Sequence, residues 1–406
     1  MEMEPNTDWS AVAEELVPIL ADHAARHDRE GTFVEESYAA LRERRVMSML
    51  VPTELGGGGA TIRETCELLR TLAGGCPSTA LALSMHTHVV AVTAWKHREG
   101  KPVAALLRRI ASEQLVIVST GGTDWVDSVG EMRKVDGGYR VTARKVFASG
   151  APAAALLATS ARYDDPELGP RVLHFAVPFH AEGVERLDDW DTLGMRGTGS
   201  QTVLFRDVFV PEGAIALSRP RGEWHDAWSV VVAVAPAIYM SPYVGLAEHA
   251  ARVAREAARS KADQPHVASL VGEMENARTA MDLAWRAMLE TTAELDFAPS
   301  LERAERQLVY KTLVTNAAHR TVQHALRAAG GRGFFRKLPI ERAFRDVQAA
   351  HFHPLPEHRQ VELSGRLALG RDPITNAALS GTAPVPAPRL AGKDATPARG
   401  SAPPAA

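Results

Sequence analysis

Between Leu115 and Pro211 the apolar residues of this chain change period, and helical patterning lies on both sides of the change. Leu115-Val116-Ile117-Val118 is a short run rich in β-branched side chains, and Tyr139-Arg140-Val141-Thr142 alternates. Strand-like runs follow at residues 154–159, 172–177 and 202–210, divided by turn signals at Asp136-Gly137-Gly138 and Asp164-Asp165-Pro166. A β domain of roughly a hundred residues is expected, the scale of a small barrel or sandwich.

The flanks read as helix. Val12, Leu16, Ile19 and Leu20 recur on one face, with Pro18 marking a break or an offset start. Further helices are expected at about residues 33–45 and 61–73, after Cys76-Pro77-Ser78 and after Lys101-Pro102. Beyond Pro211, long apolar-periodic segments cover about residues 226–260, 265–295, 300–329 and 341–350, enough for an antiparallel bundle. The resulting division is 1–114 helical, 115–222 β, 223–380 helical bundle, and 381–406 a Pro/Ala-rich tail expected to be disordered.

With 406 residues, two or three domains are expected. A net charge of −3 gives no reason to invoke nucleic acid or an anionic membrane. Cys66 and Cys76 make neither a disulfide framework nor a metal-ligand spacing. Glu2, Glu4 and Asp8 do not suit a signal peptide, and the apolar run 228–238 is too short for a bilayer span. A cytoplasmic protein is expected.

Four motifs in order carry a resemblance. They are Val51-Pro52-Thr53-Glu54-Leu55-Gly56-Gly57, then Gly121-Gly122-Thr123-Asp124, then Lys145-Val146-Phe147-Ala148-Ser149-Gly150, then Ala329-Gly330-Gly331-Arg332-Gly333 with Glu341-Arg342 and Arg345-Asp346. On this secondary structure the chain closely resembles the acyl-CoA dehydrogenase superfamily. The resemblance implies an α+β, mostly α fold: an N-terminal helical domain, a central β-barrel or sandwich, and a C-terminal four-helix bundle. It also implies a flavin, FAD or FMN. By resemblance, Gly121, Gly122 and Thr123 meet the flavin phosphates, Phe147 covers the ring and Ser149 lies near its reactive nitrogen. Gly330 and Gly331 belong to the cofactor segment, and Arg259 corresponds to an arginine that reaches a neighbouring subunit's flavin. An ordinary hairpin turn and a core aromatic would account for the turn at Gly121 and for Phe147 taken alone.

The departures matter as much. Ile117, Val118 and Ser119 stand where the family has Thr-Glu-Pro, and Arg259-Ser260-Lys261-Ala262 lacks the family's aromatic. Both suit a diffusible reduced flavin better than a permanently held one. Acyl-thioester dehydrogenation needs a carboxylate on the α-carbon. The two positions where the family places it are Pro354 and about Ala235 here, and neither accepts a proton. Glu357 and Glu362 fall at the wrong offset, on what reads as a solvated helix.

His351-Phe352-His353-Pro354 occupies that region instead. It resembles the histidine segment of dibenzothiophene monooxygenase-like flavoproteins, a branch of the same superfamily. That branch also uses a serine after the flavin-wall aromatic, here Ser149, and a histidine from the N-terminal helices, here His86 or His88. Histidines and a serine are able to donate to a flavin–oxygen adduct and move its proton. His-x-His also reads as a metal pair, but nothing local completes it, so no metal is expected.

The expected function is an oxygen-activating flavin monooxygenase acting on a small organic substrate. A separate reductase would supply reduced flavin, and the protein would be a homotetramer. The alternatives are an acyl-CoA or acyl-carrier dehydrogenase with a displaced base, and a flavin-binding homologue without turnover.

Overall fold

The computed structural model describes residues 7–120, 126–375 and 377. The expected phosphate turn at Gly121, Gly122 and Thr123, and the tail from 381, lie outside the described residues. The chain begins with helices α1 (Trp9–Glu30), α2 (Glu35–Glu43), α3 (Ile62–Ala73), α4 (Pro77–Arg98) and α5 (Ala104–Glu113). Asp8 caps α1 by accepting from the Ser10 and Ala11 N–H groups. Pro18 does not break this helix. It sits on the exposed face, where the carbonyl that its missing N–H leaves unpaired is open to solvent rather than buried. Ile19 is exposed too, so the buried stripe is Ala13, Leu16 and Leu20. Thr61 and Glu64 form a reciprocal capping box at the start of α3.

The β region contains β1 (Ile117–Ser119), β2 (Glu131–Val135), β3 (Gly138–Ala148), β4 (Leu156–Asp165), β5 (Gly169–Pro178), β6 (Val184–Arg186), β7 (Gln201–Pro211) and β8 (Ile215–Pro220). The sheet runs β6-β7-β3-β2-β4-β5-β8, with β1 pairing parallel to β4. Sequence patterning missed β2, β6 and β8. They are short or charged, with only Met132 buried in β2 and only Arg219 in β8.

The bundle is α6 (Asp226–Ala258), α7 (Pro265–Thr291) and α8 (Leu301–Ala328), followed by α9 (Ile340–Asp346) and α10 (Glu357–Ala368), which packs on α8. By length and composition α6 could cross a membrane, but 94% of its apolar window is buried inside the protein, and it serves as the central core helix. α3 and α4 pack against it. At Gly245 the approach is so close that a Cβ would lie 1.9 Å from the Arg70 carbonyl oxygen, so only glycine fits. One continuous apolar core joins the N-terminal helices, the sheet and the bundle.

Candidate active site

β3 carries one extra residue relative to β7 just before its end: Lys145 pairs with Val203, but Ala148 pairs with Gln201. The bulge re-aims the strand. Phe147 takes the left-handed backbone conformation at φ 58° and turns its ring outward, 57% exposed, with Trp190 edge-on at 5.9 Å. A non-glycine residue in that region stores strain, of order 1–3 kcal/mol. An open aromatic face held at this cost suits a flat ligand better than a core.

Ser149 follows, and Gly150 at φ 80° turns the chain into a short 3-10 segment. Behind Ser149 lies a row of buried hydroxyls. Ser149 Oγ and Ser200 Oγ are 2.7 Å apart, Ser200 Oγ and Thr198 Oγ1 are 2.7 Å apart, and Thr198 Oγ1 donates to the Met195 carbonyl at 2.9 Å. Trp190 Nε1 donates to the same carbonyl at 3.1 Å, so a single turn supports both Ser149 and the neighbour of Phe147. Asp346 anchors that turn from the bundle by accepting from the Met195 N–H. Burial of Asp346 pushes its carboxyl up to about 6. Next to it, Arg345 grips Asp28 through two bonds of 2.7 and 2.8 Å, and also pairs with Glu341. The Arg-Asp motif therefore ties the bundle to α1 and to the turn.

A Cβ on Gly150 would lie 3.5 Å from Val118 Cγ1, so the serine segment abuts β1. From β1, Ser119 Oγ reaches His88 Nε2 at 3.3 Å. His88 donates from Nδ1 to the Ser84 carbonyl, also at 3.3 Å. Both bonds are long, which leaves the Ser119 hydroxyl and the His88 ring open to a ligand. A positive charge on His88 opposes one on His353, so the two imidazoles share a neighbourhood. Burial holds His88 down at about 4 and His353 at about 3, so both rings are neutral near pH 7. Both residues are half-buried, and the region between them, Ser119 and Ser149 is the candidate recess.

His353 is set by α6. Tyr239 stacks on it at 4.9 Å, and Tyr243 Oη lies 2.7 Å from its Nε2. Tyr239 donates to the Pro354 carbonyl at 2.7 Å, and Lys311 Nζ to the Leu355 carbonyl at 3.0 Å, so residues 353–355 are stapled to the bundle. Burial and the surrounding apolar atoms bring Lys311 down to about 8.

The expected residues do not all converge. His88, Ser149 and His353 do, through β1 and α4. His86 does not act there: its Nδ1 accepts from the Ile117 N–H at 3.0 Å and its Nε2 donates to the Met47 carbonyl at 2.8 Å. It is a fully buried brace with no ring nitrogen left for a ligand. His351 packs on His319 instead, centroids 3.9 Å apart. Arg259 is exposed and paired with Glu256, and Gly330 and Gly331 lie on the surface. None of these three touches Phe147 or the histidines. Glu357 is exposed and accepts from Asn316 at 3.2 Å, and Glu362 pairs with Arg366, so neither is a base for this site. Among the described residues no group of three or more His, Cys, Asp or Glu side chains could hold a metal ion.

Sequence patterning missed Tyr239, Tyr243, Ser200, Thr198 and Trp190. The tyrosines could have been found: two phenols four residues apart on the face of an otherwise aliphatic helix need polar partners. The donor set present fits the flavin that the resemblance implies, with an open aromatic wall at Phe147, a hydroxyl beside it, and imidazoles near by.

The acyl-CoA dehydrogenase N-terminal domain family matches residues 10–113 and its C-terminal domain family residues 238–356. The amino sugar nitrososynthase DnmZ of Streptomyces peucetius is 29% identical over 376 residues, 88% of this chain and 92% of that protein. The dibenzothiophene monooxygenase of Mycolicibacterium goodii is 26% identical over 396 residues, covering 89% and 94%. Among solved structures, KijD3 in complex with FMN and dTDP-3-amino-2,3,6-trideoxy-4-keto-3-methyl-D-glucose is 28% identical, with a TM-score of 0.82 over 91% of this chain and 96% of that one.

Proposed function

The chain belongs to the acyl-CoA dehydrogenase superfamily, and we propose that it works there as a two-component flavin-dependent monooxygenase. It is a flavin-dependent oxidoreductase, as its nitrososynthase and monooxygenase relatives indicate. FMN is the proposed form of the cofactor, supported by the FMN bound to KijD3. The substrate is a small organic molecule with an electron-rich nitrogen or sulfur. Support comes from relatives named for amino sugars and for dibenzothiophene.

The observation that carries the reading is the chemistry of the recess. His353 adjoins Pro354, one of the two positions where a dehydrogenase of this fold carries its carboxylate, and burial holds both His353 and His88 neutral. Reduced flavin, when bound, supplies the two electrons that split dioxygen, one atom going to the substrate and the other leaving as water. The chain's own residues do the rest. Phe147 presents a flat wall, and Ser149 fixes a ring edge. Tyr243 holds the orientation of His353, whose Nδ1 makes no hydrogen bond among the described residues and is left to donate to a ligand.

A separate reductase is proposed as the source of reduced flavin, because Ile117-Val118-Ser119 and Arg259-Ser260-Lys261-Ala262 depart from the family in a way that suits a diffusible reduced flavin. A homotetramer is proposed as well. Phe334, Phe335, Phe352 and Leu369 are largely exposed, apolar side chains that a second copy would cover. Buried free thiols at Cys66 and Cys76 suit the proposed cytoplasmic setting.

The test supplies FMN, a flavin reductase and NADH under 18O-labelled oxygen, with dTDP-amino sugars and thiophenes as substrates. One labelled oxygen per product molecule is expected. Conversion of an acyl-CoA to its α,β-unsaturated product, with no label incorporated from any substrate, would replace this reading with dehydrogenation.

A further inference from the structure

Helix α4 is buried on nearly every side. Between Pro77 and Lys96 the half-buried residues are Met85, His88, Val89, Val92 and Lys96, and every other residue is buried. Steps of three or four set them in one stripe along the helix. A solvent face would be charged throughout, whereas this stripe runs from a histidine over apolar side chains to a lysine. It starts in the recess, where His88 reaches Ser119. Lys96 comes about 12 Å farther along the helix.

Helix α6 packs on α4 and borders the same space. At the recess end its Tyr239 stacks on His353. At the other end its Trp228 meets His174 edge-on at 6.0 Å. A positive charge on Lys96 opposes one on His174, so Lys96 shares that neighbourhood. From Trp228 to Tyr239, Trp228 and Val231 are half-buried and the rest are buried. The far end is cationic: Arg219, fully buried, donates from Nε to His174 Nε2 at 3.0 Å. Lys96 makes no hydrogen bond or ion pair among the described residues, and burial pulls it below the ordinary lysine value. A part-buried ammonium without a counter-charge is costly until an anion joins it.

We propose that Lys96 determines specificity, binding an anionic group of the substrate at the far end of a channel between α4 and α6. The substrate is then elongated. Its nitrogen or sulfur lies at His88 and His353, and a carboxylate or phosphate lies about 12 Å away, at Lys96. Met85, Val89 and Val92 line the apolar body between them, and the charge-assisted bond at Lys96 fixes its register. The reacting end rests on the monooxygenase reading above.

The experiment titrates the full-length protein, by calorimetry, with ω-(methylthio)alkanoates of increasing chain length, each beside its methyl ester. Sulfoxide formation is then followed with reduced FMN supplied under 18O-labelled oxygen. At the length that spans the channel the acid should bind at least about tenfold more tightly than the ester, the worth of one charge-assisted hydrogen bond. Shorter chains should show no preference. Lys96→Met should abolish the preference without weakening the ester, and Lys96→Arg should keep most of it. Lys96→Glu should turn the preference toward ω-(methylthio)alkylamines, a reversal that a packing role would not produce. Acid and ester that bind alike at every length, a wild type that binds neither, or a preference that survives Lys96→Met overturns the proposal. Binding that follows chain length and Lys96, while no compound gains a labelled oxygen, overturns the monooxygenase reading and leaves the anion-binding end standing.

Discussion

Tyr243 Oη lies 2.7 Å from His353 Nε2, and the phenol is the donor. Burial raises Tyr243 well above the ordinary tyrosine value and lowers His353, so both are neutral. Tyr243 is fully buried and makes no other hydrogen bond among the described residues, so its hydrogen would be stranded if the imidazole were the donor. His353 therefore carries its hydrogen on Nδ1, which makes no hydrogen bond among the described residues.

That lock gives a first expectation. Tyr243→Phe keeps the packing and frees the imidazole to change tautomer. Turnover should fall by roughly a hundredfold if the Nδ1 donor is as valuable as a typical transition-state donor, with little change in KM. Steady-state kinetics with supplied reduced FMN, together with an unchanged thermal midpoint, check it.

The two N-terminal histidines should separate cleanly. His86→Ala strands the Ile117 N–H and the Met47 carbonyl in the core, and should destabilise the protein by about 2–4 kcal/mol. His88→Ala breaks only two long bonds, and should lower activity with a far smaller loss of stability. Urea unfolding of both variants beside activity measurements decides this.

Acid should unfold the protein through its buried imidazoles. His88 and His249 are held at about 4, and His174 and His353 at about 3, each below the ordinary 6.5 of an unfolded chain. As pH falls below 6.5 the unfolded chain takes up these protons first. The stability is fully present above pH 6.5 and is lost between there and pH 3–4. Each histidine contributes a slope of up to about 1.4 kcal/mol per pH unit. Urea midpoints at pH 7 and pH 5 should show the loss, and His353→Gln should flatten it.

Phe147 should behave as a strained functional residue. Phe147→Gly relieves the left-handed backbone, so stability should hold or rise by up to about 1 kcal/mol. The same change removes the open aromatic wall and should weaken FMN binding up to about tenfold, the upper end of the roughly 0.5–1.5 kcal/mol that aromatic contacts contribute. Paired unfolding and FMN titration test both halves.

Much of this fold was legible in the sequence because its signals are local. The switch from helical to alternating period located the sheet, and the long apolar segments located the bundle. Pro18 misled because tolerance of proline depends on which face meets water, and that is set by packing. The candidate site could be read from the sequence where its residues sit in a motif, as Ser149 and His353 do. It was not legible where partners come from distant elements. Nothing in the pair His86 and His88 says which imidazole will be consumed by the backbone of Met47 and Ile117. The hydroxyl row depends on a turn anchored by Asp346, a contact spanning 151 positions. Arg259, Gly330 and Gly331 are exposed, and their sequence motifs carry no sign of where in the fold they come to lie.

The central claim is that the recess around His88, Ser149 and His353 retains oxygen chemistry rather than abstracting a substrate proton. The most direct measurement mixes protein loaded with reduced FMN with dissolved oxygen, in the absence of substrate. It follows oxygen uptake and hydrogen peroxide release together, for wild type and His353→Ala. In wild type, peroxide should appear at least tenfold more slowly than oxygen is consumed; in His353→Ala the two should coincide. Simultaneous uptake and release in wild type, with His353→Ala indistinguishable from it, would contradict the account.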